Sequence, residues 1–149
     1  MSSFTSLNYH LVFSTRHREP LIEDTWQPRL YGYIGGIVRH QGGALLAAGG
    51  MPDHVHLLVA INKSVAITDA VRDINANSSK WVHDDIPDKA GFAWQAGYGA
   101  FTVSYSALDA VRRYFADQQE HHRVRTFQEE FAALLRRHEI EFDERYLLD

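Results

Sequence analysis

The sequence predicts an α+β fold, an antiparallel sheet in the split βαβ order with helices on one face and further helices at the C-terminus. Three observations lead to it. Four stretches read as strands, two long segments between them read as helices, and proline, glycine or polar punctuation falls at the joints. Asn8 to Thr15 is the first strand, and Pro20 marks a break before the first helix. That helix is expected over Asp24 to Gln41, and a short strand over Ala44 to Ala48. Gly49-Gly50 with Pro52 reads as the turn into the next strand, His54 to Ile61. Val65 to about Asp84 reads as the second helix, Asp84 to Gly91 as a polar loop, and Tyr98 to Val103 as the fourth strand. Helices at Ala107 to Arg123 and at Phe127 to about His138 complete a β-α-β-β-α-β order of ferredoxin-like type. No repeat, low-complexity tract or linker interrupts it, and residues 1–149 are expected to form one domain with an acidic tail from about 139.

At 149 residues the chain can bury about two thirds of its unfolded surface, enough for one core without staples. It has no cysteine, which excludes disulfides and cysteine-based zinc sites. The N-terminal residues are polar where a signal peptide needs an apolar run, and no segment approaches a membrane span, so a soluble cytoplasmic protein is expected. The net charge of −4 belongs to the tail, where Glu139, Glu141, Asp143, Glu144 and Asp149 stand against Arg145 and leave the remainder balanced. A balanced body without a broad basic patch argues against strong non-specific duplex binding.

Asp53-His54-Val55-His56-Leu57-Leu58-Val59 carries the sharpest chemical signal. Side chains two apart on a strand share a face, so His54 and His56 stand side by side while Val55 and Leu57 pack on the other. Such a pair offers two rigid ligands to one metal ion, although histidines near a strand start also serve as surface or hydrogen-bonded core residues. A second signal lies in an amphipathic helix after Tyr105. Ser106 and Asp109 resemble a capping box, Leu108, Val111 and Phe115 recur at helical spacing, and Tyr114 and Gln118 stand one turn apart on its flank. Taken alone, Tyr114 reads as an amphipathic residue at a core edge.

Together these stretches resemble the HUH single-tyrosine transposases, the small TnpA-type enzymes of insertion sequences, and their relatives associated with repetitive extragenic palindromes (REP). The resemblance runs through Tyr9-His10-Leu11-Val12-Phe13-Ser14-Thr15, Pro52 to Leu57, Ser78-Ser79-Lys80-Trp81 and Trp94 to Phe101. It continues through Tyr114 to Gln118, His121-His122 and Thr126-Phe127-Gln128-Glu129-Glu130-Phe131, in matching order. It implies a bacterial or archaeal enzyme that cleaves and rejoins single-stranded DNA at hairpin-bearing ends through a 5′-phosphotyrosine. It further implies Tyr114 as nucleophile, His54, His56 and Gln118 as ligands of Mg²⁺ or Mn²⁺, and a homodimer whose tyrosine helices act in trans. Arg123 to Thr126 is compatible with a hinge for that exchange, or reads as an ordinary loop between helices packed in cis. Nitrogen ligands by themselves suit zinc or other transition metals as well. Two other functions stay open: a domesticated REP-palindrome nuclease, and a metal-dependent phosphoesterase that uses water.

Asp53 is read either as a residue that orients an imidazole or as a turn residue after Pro52. His121 and His122 contact phosphate or metal, or simply answer the dipole at a helix end. Arg16, Arg18, Lys80, Arg112 and Arg113 are the candidate DNA contacts, each otherwise part of a solvated face. Trp81 and Trp94 are stacking platforms for bases or core residues.

Overall fold

In the computed structural model, which describes residues 2–147, four strands form one antiparallel sheet in the order β2-β3-β1-β4. They are β1 (Asn8–Ser14), β2 (Ala44–Met51), β3 (His54–Ala60) and β4 (Gly99–Thr102). Helices α1 (Gln27–His40) and α2 (Ile67–Asp85) are the crossovers of the split βαβ order, and α3 (Leu108–Ala116), α4 (Gln118–His122) and α5 (Phe127–Arg137) come after the sheet. Asp149 of the acidic tail and the side chain of Tyr146 lie outside the described residues.

The alternation of the central strands assigns each face. Leu11 and Phe13 of β1 and Val55, Leu57 and Val59 of β3 turn to one side, where Leu30, Ile34 and Val38 of α1 and Ala70, Val71 and Ile74 of α2 seal them from water. Val12, Phe101 and Leu58 turn to the other, where they meet α3 through Leu108 and Phe115 and α5 through Phe127, Leu134 and Leu135. Helices therefore cover both faces: α1 and α2 one, the C-terminal helices the other.

Several local expectations change. Gly49 and Gly50 are not a turn but the end of β2, paired with His56 and Val55, so the hairpin narrows to Pro52-Asp53. The reason is visible at Gly49, where a Cβ would stand 2.5 Å from the backbone oxygen of Phe115: the bare strand lets the end of α3 lie directly on the sheet. The expected helix from Ala107 to Arg123 breaks at Asp117, whose amide is shared between the carbonyls of Arg113 at 3.1 Å and Tyr114 at 3.3 Å. That tightening ends α3, and Gln118 opens a new short helix. Ser106 and Asp109 form no cap, since Ala107 precedes α3 without a side-chain bond. The capping box belongs instead to α5, where Thr126 Oγ1 accepts from the Glu129 amide at 3.2 Å and the Glu129 carboxylate receives the Thr126 amide at 3.1 Å.

Candidate active site

The face of the sheet under α3, α4 and α5 holds a polar cluster sealed inside apolar walls. His54 and His56 are both fully buried, on alternate positions of β3 as the spacing requires. The Nδ1 of each ring is already engaged, His54 with Asp53 Oδ1 at 2.7 Å and His56 with His10 Nε2 of the neighbouring strand at 2.7 Å. Such outer partners fix ring orientation and leave both Nε2 atoms facing inward.

Gln118 and Tyr114 come to the same spot from α4 and α3. Gln118 Oε1 lies 3.0 Å from His54 Nε2, and the Tyr114 ring sits 5.7 Å from that of His56 in an edge arrangement. His121 stacks on Tyr114 at 4.4 Å, and the His122 ring lies tilted against that of His54 at 4.7 Å. His122 therefore does more than answer a helix dipole: its Nε2 meets a carboxylate at 3.1 Å.

That carboxylate is Glu130 of α5, whose role the chain order alone does not announce. It is fully buried. Its Oε1 accepts from His56 Nε2 at 3.0 Å and stands 3.4 Å from His54 Nε2, while its Oε2 accepts from the Gln118 amide at 3.0 Å and from the Tyr114 hydroxyl. A sequence signal for it exists. Phe127, Glu130, Phe131 and Leu134 recur at helical spacing on the apolar stripe of α5, and an acid in that stripe requires partners. His10 likewise falls on the site side of β1, directly before Leu11 of the core.

The electrostatics arise from this packing. Burial alone raises the Glu130 carboxyl, but hydrogen bonds from His54 and His56 outweigh it and hold the group far below the usual carboxylate range. Burial also works against a charged His54, yet hydrogen bonds to Asp53 and Glu130 raise it to about 9. Burial lowers His56, and it lowers His10 to about 3 with help from the adjacent His56. Tyr114 is pushed above its ordinary value by burial and by Glu130, with the Arg125 guanidinium acting in the opposite direction.

The donor set fits a divalent cation. Ligands that share one ion at about 2.1 Å stand roughly 3.0 to 3.4 Å apart. Gln118 Oε1 and Glu130 Oε1 lie 3.0 and 3.4 Å from His54 Nε2, and Glu130 Oε1 lies 3.0 Å from His56 Nε2. His54, His122 and Glu130 also bring one donor atom each within 4.8 Å of one another.

The candidate DNA contacts separate into two groups. Arg18, in the turn after β1, lines a groove of about 540 Å³ with Asp53, His122, Arg123 and Arg125, which opens beside the cluster. Arg16 lies in the same turn. Lys80 is on α2, across the sheet, paired with Asp84 at 3.1 Å. Arg112 pairs with Asp109 on α3 at 3.0 Å, and Arg113 is exposed. Trp94 is a core residue whose Nε1 donates to Ser78 Oγ at 2.9 Å, and Trp81 stacks on Tyr33. No helix among the described residues is long and apolar enough to cross a membrane.

The chain is similar to known proteins in sequence and in fold. Residues 3–118 match the family model described as "Transposase IS200 like". The ISDra2 transposase TnpA of Deinococcus radiodurans is 25% identical over 119 residues, 76% of this chain and 85% of that protein. A crystal structure of a putative transposase from Deinococcus radiodurans R1 superposes with a TM-score of 0.65 at 26% identity, over 79% of this chain and 95% of that one. The structure of a REP-associated tyrosine transposase bound to a REP hairpin shares the fold at a TM-score of 0.60 and 15% identity, over 82% and 74% of the two chains. The chain belongs to the IS200-like transposase family.

Proposed function

We propose that the protein cleaves and rejoins single-stranded DNA at hairpin-bearing ends, with Tyr114 as nucleophile and His54, His56 and Gln118 as ligands of Mg²⁺ or Mn²⁺. One observation carries this: Tyr114, His56 and Gln118, from three separate elements, all bond the buried Glu130 carboxylate, and Gln118 Oε1 lies 3.0 Å from His54 Nε2 beside it. When bound, the cation supplies Lewis-acid polarisation of the scissile phosphate.

The chain's own groups do the rest. Tyr114 Oη attacks phosphorus in line, the Oη–P bond forms and the P–O3′ bond breaks. The phenol gives up its proton and the departing 3′ oxygen takes one up, so the strand ends as a 5′-phosphotyrosine and a free 3′ hydroxyl. Rejoining reverses the exchange without an outside energy source. Asp53 and His10 keep the two imidazoles aimed, and Arg125 beside Tyr114 is placed to meet a phosphate.

The test is a denaturant-resistant protein–DNA band after incubation with single-stranded hairpin DNA and Mn²⁺. Wild type forms it, whereas Tyr114→Phe, which keeps the ring and loses the attacking atom, forms none. Tyr105, 79% exposed in the turn before α3, is the control residue, and its phenylalanine variant keeps the band. Cleavage that persists without any band identifies water as the nucleophile and a phosphoesterase. A mobile element and a domesticated palindrome processor are distinguished by flanking palindromic ends and copy number in the genome.

The family resemblance implies a homodimer with the tyrosine helix serving the partner's site, while the bond of Tyr114 to Glu130 of its own chain favours service in cis. Mixing His56→Ala chains with Tyr114→Phe chains restores cleavage only if the site is shared.

A further inference from the structure

Glu130 lies beyond the segment that matches the family model, which ends at Gln118, and the set of two histidines, glutamine and tyrosine leaves it without a role. Its place in the cluster is nevertheless central. A carboxylate with no solvent exposure survives only with matched partners, and Glu130 has them on both oxygens. Oε1 faces the Nε2 atoms of His56, His122 and His54 at 3.0, 3.1 and 3.4 Å. Oε2 takes the Gln118 amide at 3.0 Å and the Tyr114 hydroxyl.

Charge and position together point to its task. Two neutral imidazoles and an amide oxygen leave a divalent cation wholly uncompensated, and hard cations favour carboxylate oxygen. Glu130 is the buried acid in direct contact with all three of those ligands, and its Oε1 already stands at the separation that ligands of one ion adopt. Its location is fixed rather than incidental. The Thr126–Glu129 capping box sets the start of α5, and Phe127, stacked on the His54 ring at 4.3 Å, anchors that first turn against the site.

We propose that Glu130 is a further protein ligand of the divalent cation through Oε1, and that through Oε2 it positions the Tyr114 hydroxyl and the Gln118 amide. Helix α5 thereby completes the cation site and ties the nucleophile to it. The proposal rests on the cation site described under the proposed function, but it is tested by metal binding and not by cleavage.

The experiment titrates Mn²⁺ into the full chain, stripped with EDTA, and reads free Mn²⁺ by electron paramagnetic resonance. Glu130→Gln, which keeps shape and removes charge, weakens binding at least tenfold. Glu130→Asp, which keeps charge on a shorter stem, loses less, and Tyr114→Phe stays within about twofold of wild type. Glu130→Gln that binds Mn²⁺ as well as wild type overturns the assignment. So does a Glu130→Gln chain with undiminished affinity and a higher yield of covalent adduct, because the carboxylate would then be holding the place of the scissile phosphate. A Mn²⁺-soaked crystal of the wild-type chain decides the matter without any variant, since its anomalous peak lies within about 2.4 Å of Glu130 Oε1 or clear of it. Wild type that holds Mn²⁺ through Glu130 but forms no adduct with hairpin DNA refutes the cleavage reading alone. Adduct formation with Mn²⁺ affinity indifferent to Glu130 refutes this one alone.

Discussion

The two faces of one sheet obey opposite rules. Under α1 and α2, Leu11, Phe13, Val55, Leu57 and Val59 meet an apolar helical layer, and the area removed from water stabilises the fold. Under α3, α4 and α5, the same strands present His10, His54 and His56 to Gln118, Tyr114 and Glu130. Because successive residues of a strand alternate, β3 serves both programmes at once. A stable face thus holds the histidines rigid while the opposite face carries buried charge that is tolerated only because it is paired.

Breaking the polar face should give the largest effect. His56→Ala removes an imidazole that touches both His10 and Glu130, so Mn²⁺-dependent cleavage should fall below detection, as should cleavage by wild type after EDTA treatment. Far-UV circular dichroism should remain that of wild type, because Val55 and Leu57 still bury the strand against α1 and α2. A variant that cleaves normally would remove His56 from the site.

The apolar face should break differently. Leu57→Ala opens a cavity at a position with no exposure and should cost about 2–5 kcal/mol, read as a fall in the midpoint of urea unfolding. At low temperature the molecules that remain folded should form the covalent adduct at wild-type yield. Loss of adduct without loss of stability would mean that the two faces are not separable.

The difference between the faces also explains what the sequence made legible. Strand and helix order came from apolar spacing, which the α1 and α2 face follows closely, Ser78 being the buried polar residue in the α2 stripe. The histidine pair was visible because period 2 is local to β3. Glu130 was not, because its partners lie on β3, α3 and α4, and nothing near it in the chain declares them; only its place in the stripe of Phe127, Phe131 and Leu134 sets it apart. The break at Asp117 was hidden for a related reason. Local propensity favours one continuous helix there, and tertiary contact at Gly49 decides otherwise.

Acidity sharpens the comparison, since the histidines whose values are shifted, His10, His54 and His56, all lie on the polar face. The raised value of His54 means that the folded metal-free chain holds a proton there more tightly than the unfolded chain. Its stabilisation is complete below about pH 6.5 and lost as pH rises towards about 9, roughly 3 kcal/mol at about 1.4 kcal/mol per unit. His10 has the opposite sign: its lowered value gives stability that is present above about pH 6.5 and lost as pH falls towards about 3. The melting temperature in EDTA should therefore peak near pH 6.5 and decline on both sides. Mn²⁺ affinity should rise from pH 6.5 to 9, because the ion displaces the His54 proton. A melting temperature that climbs steadily to pH 9 in EDTA would show that His54 is neutral in the folded state.

The smallest effects should come from the surface, where the faces differ in what surrounds them. Arg18 shares a groove with Arg123 and Arg125 that opens beside Asp53 and His122, so a strand bound at the site passes within reach of it. Lys80 stands on α2, on the other side of the sheet, with its charge engaged by Asp84. Loss of one phosphate contact weakens binding uniformly across sequences and lowers the salt dependence by about one ion. Arg18→Ala should accordingly reduce affinity for single-stranded hairpin DNA severalfold and flatten its salt slope, whereas Lys80→Ala should change neither by more than about twofold. Fluorescence anisotropy over a salt series measures both. If Lys80→Ala proves the costlier change, the strand runs over the α2 face, and the groove beside the histidines is not its path.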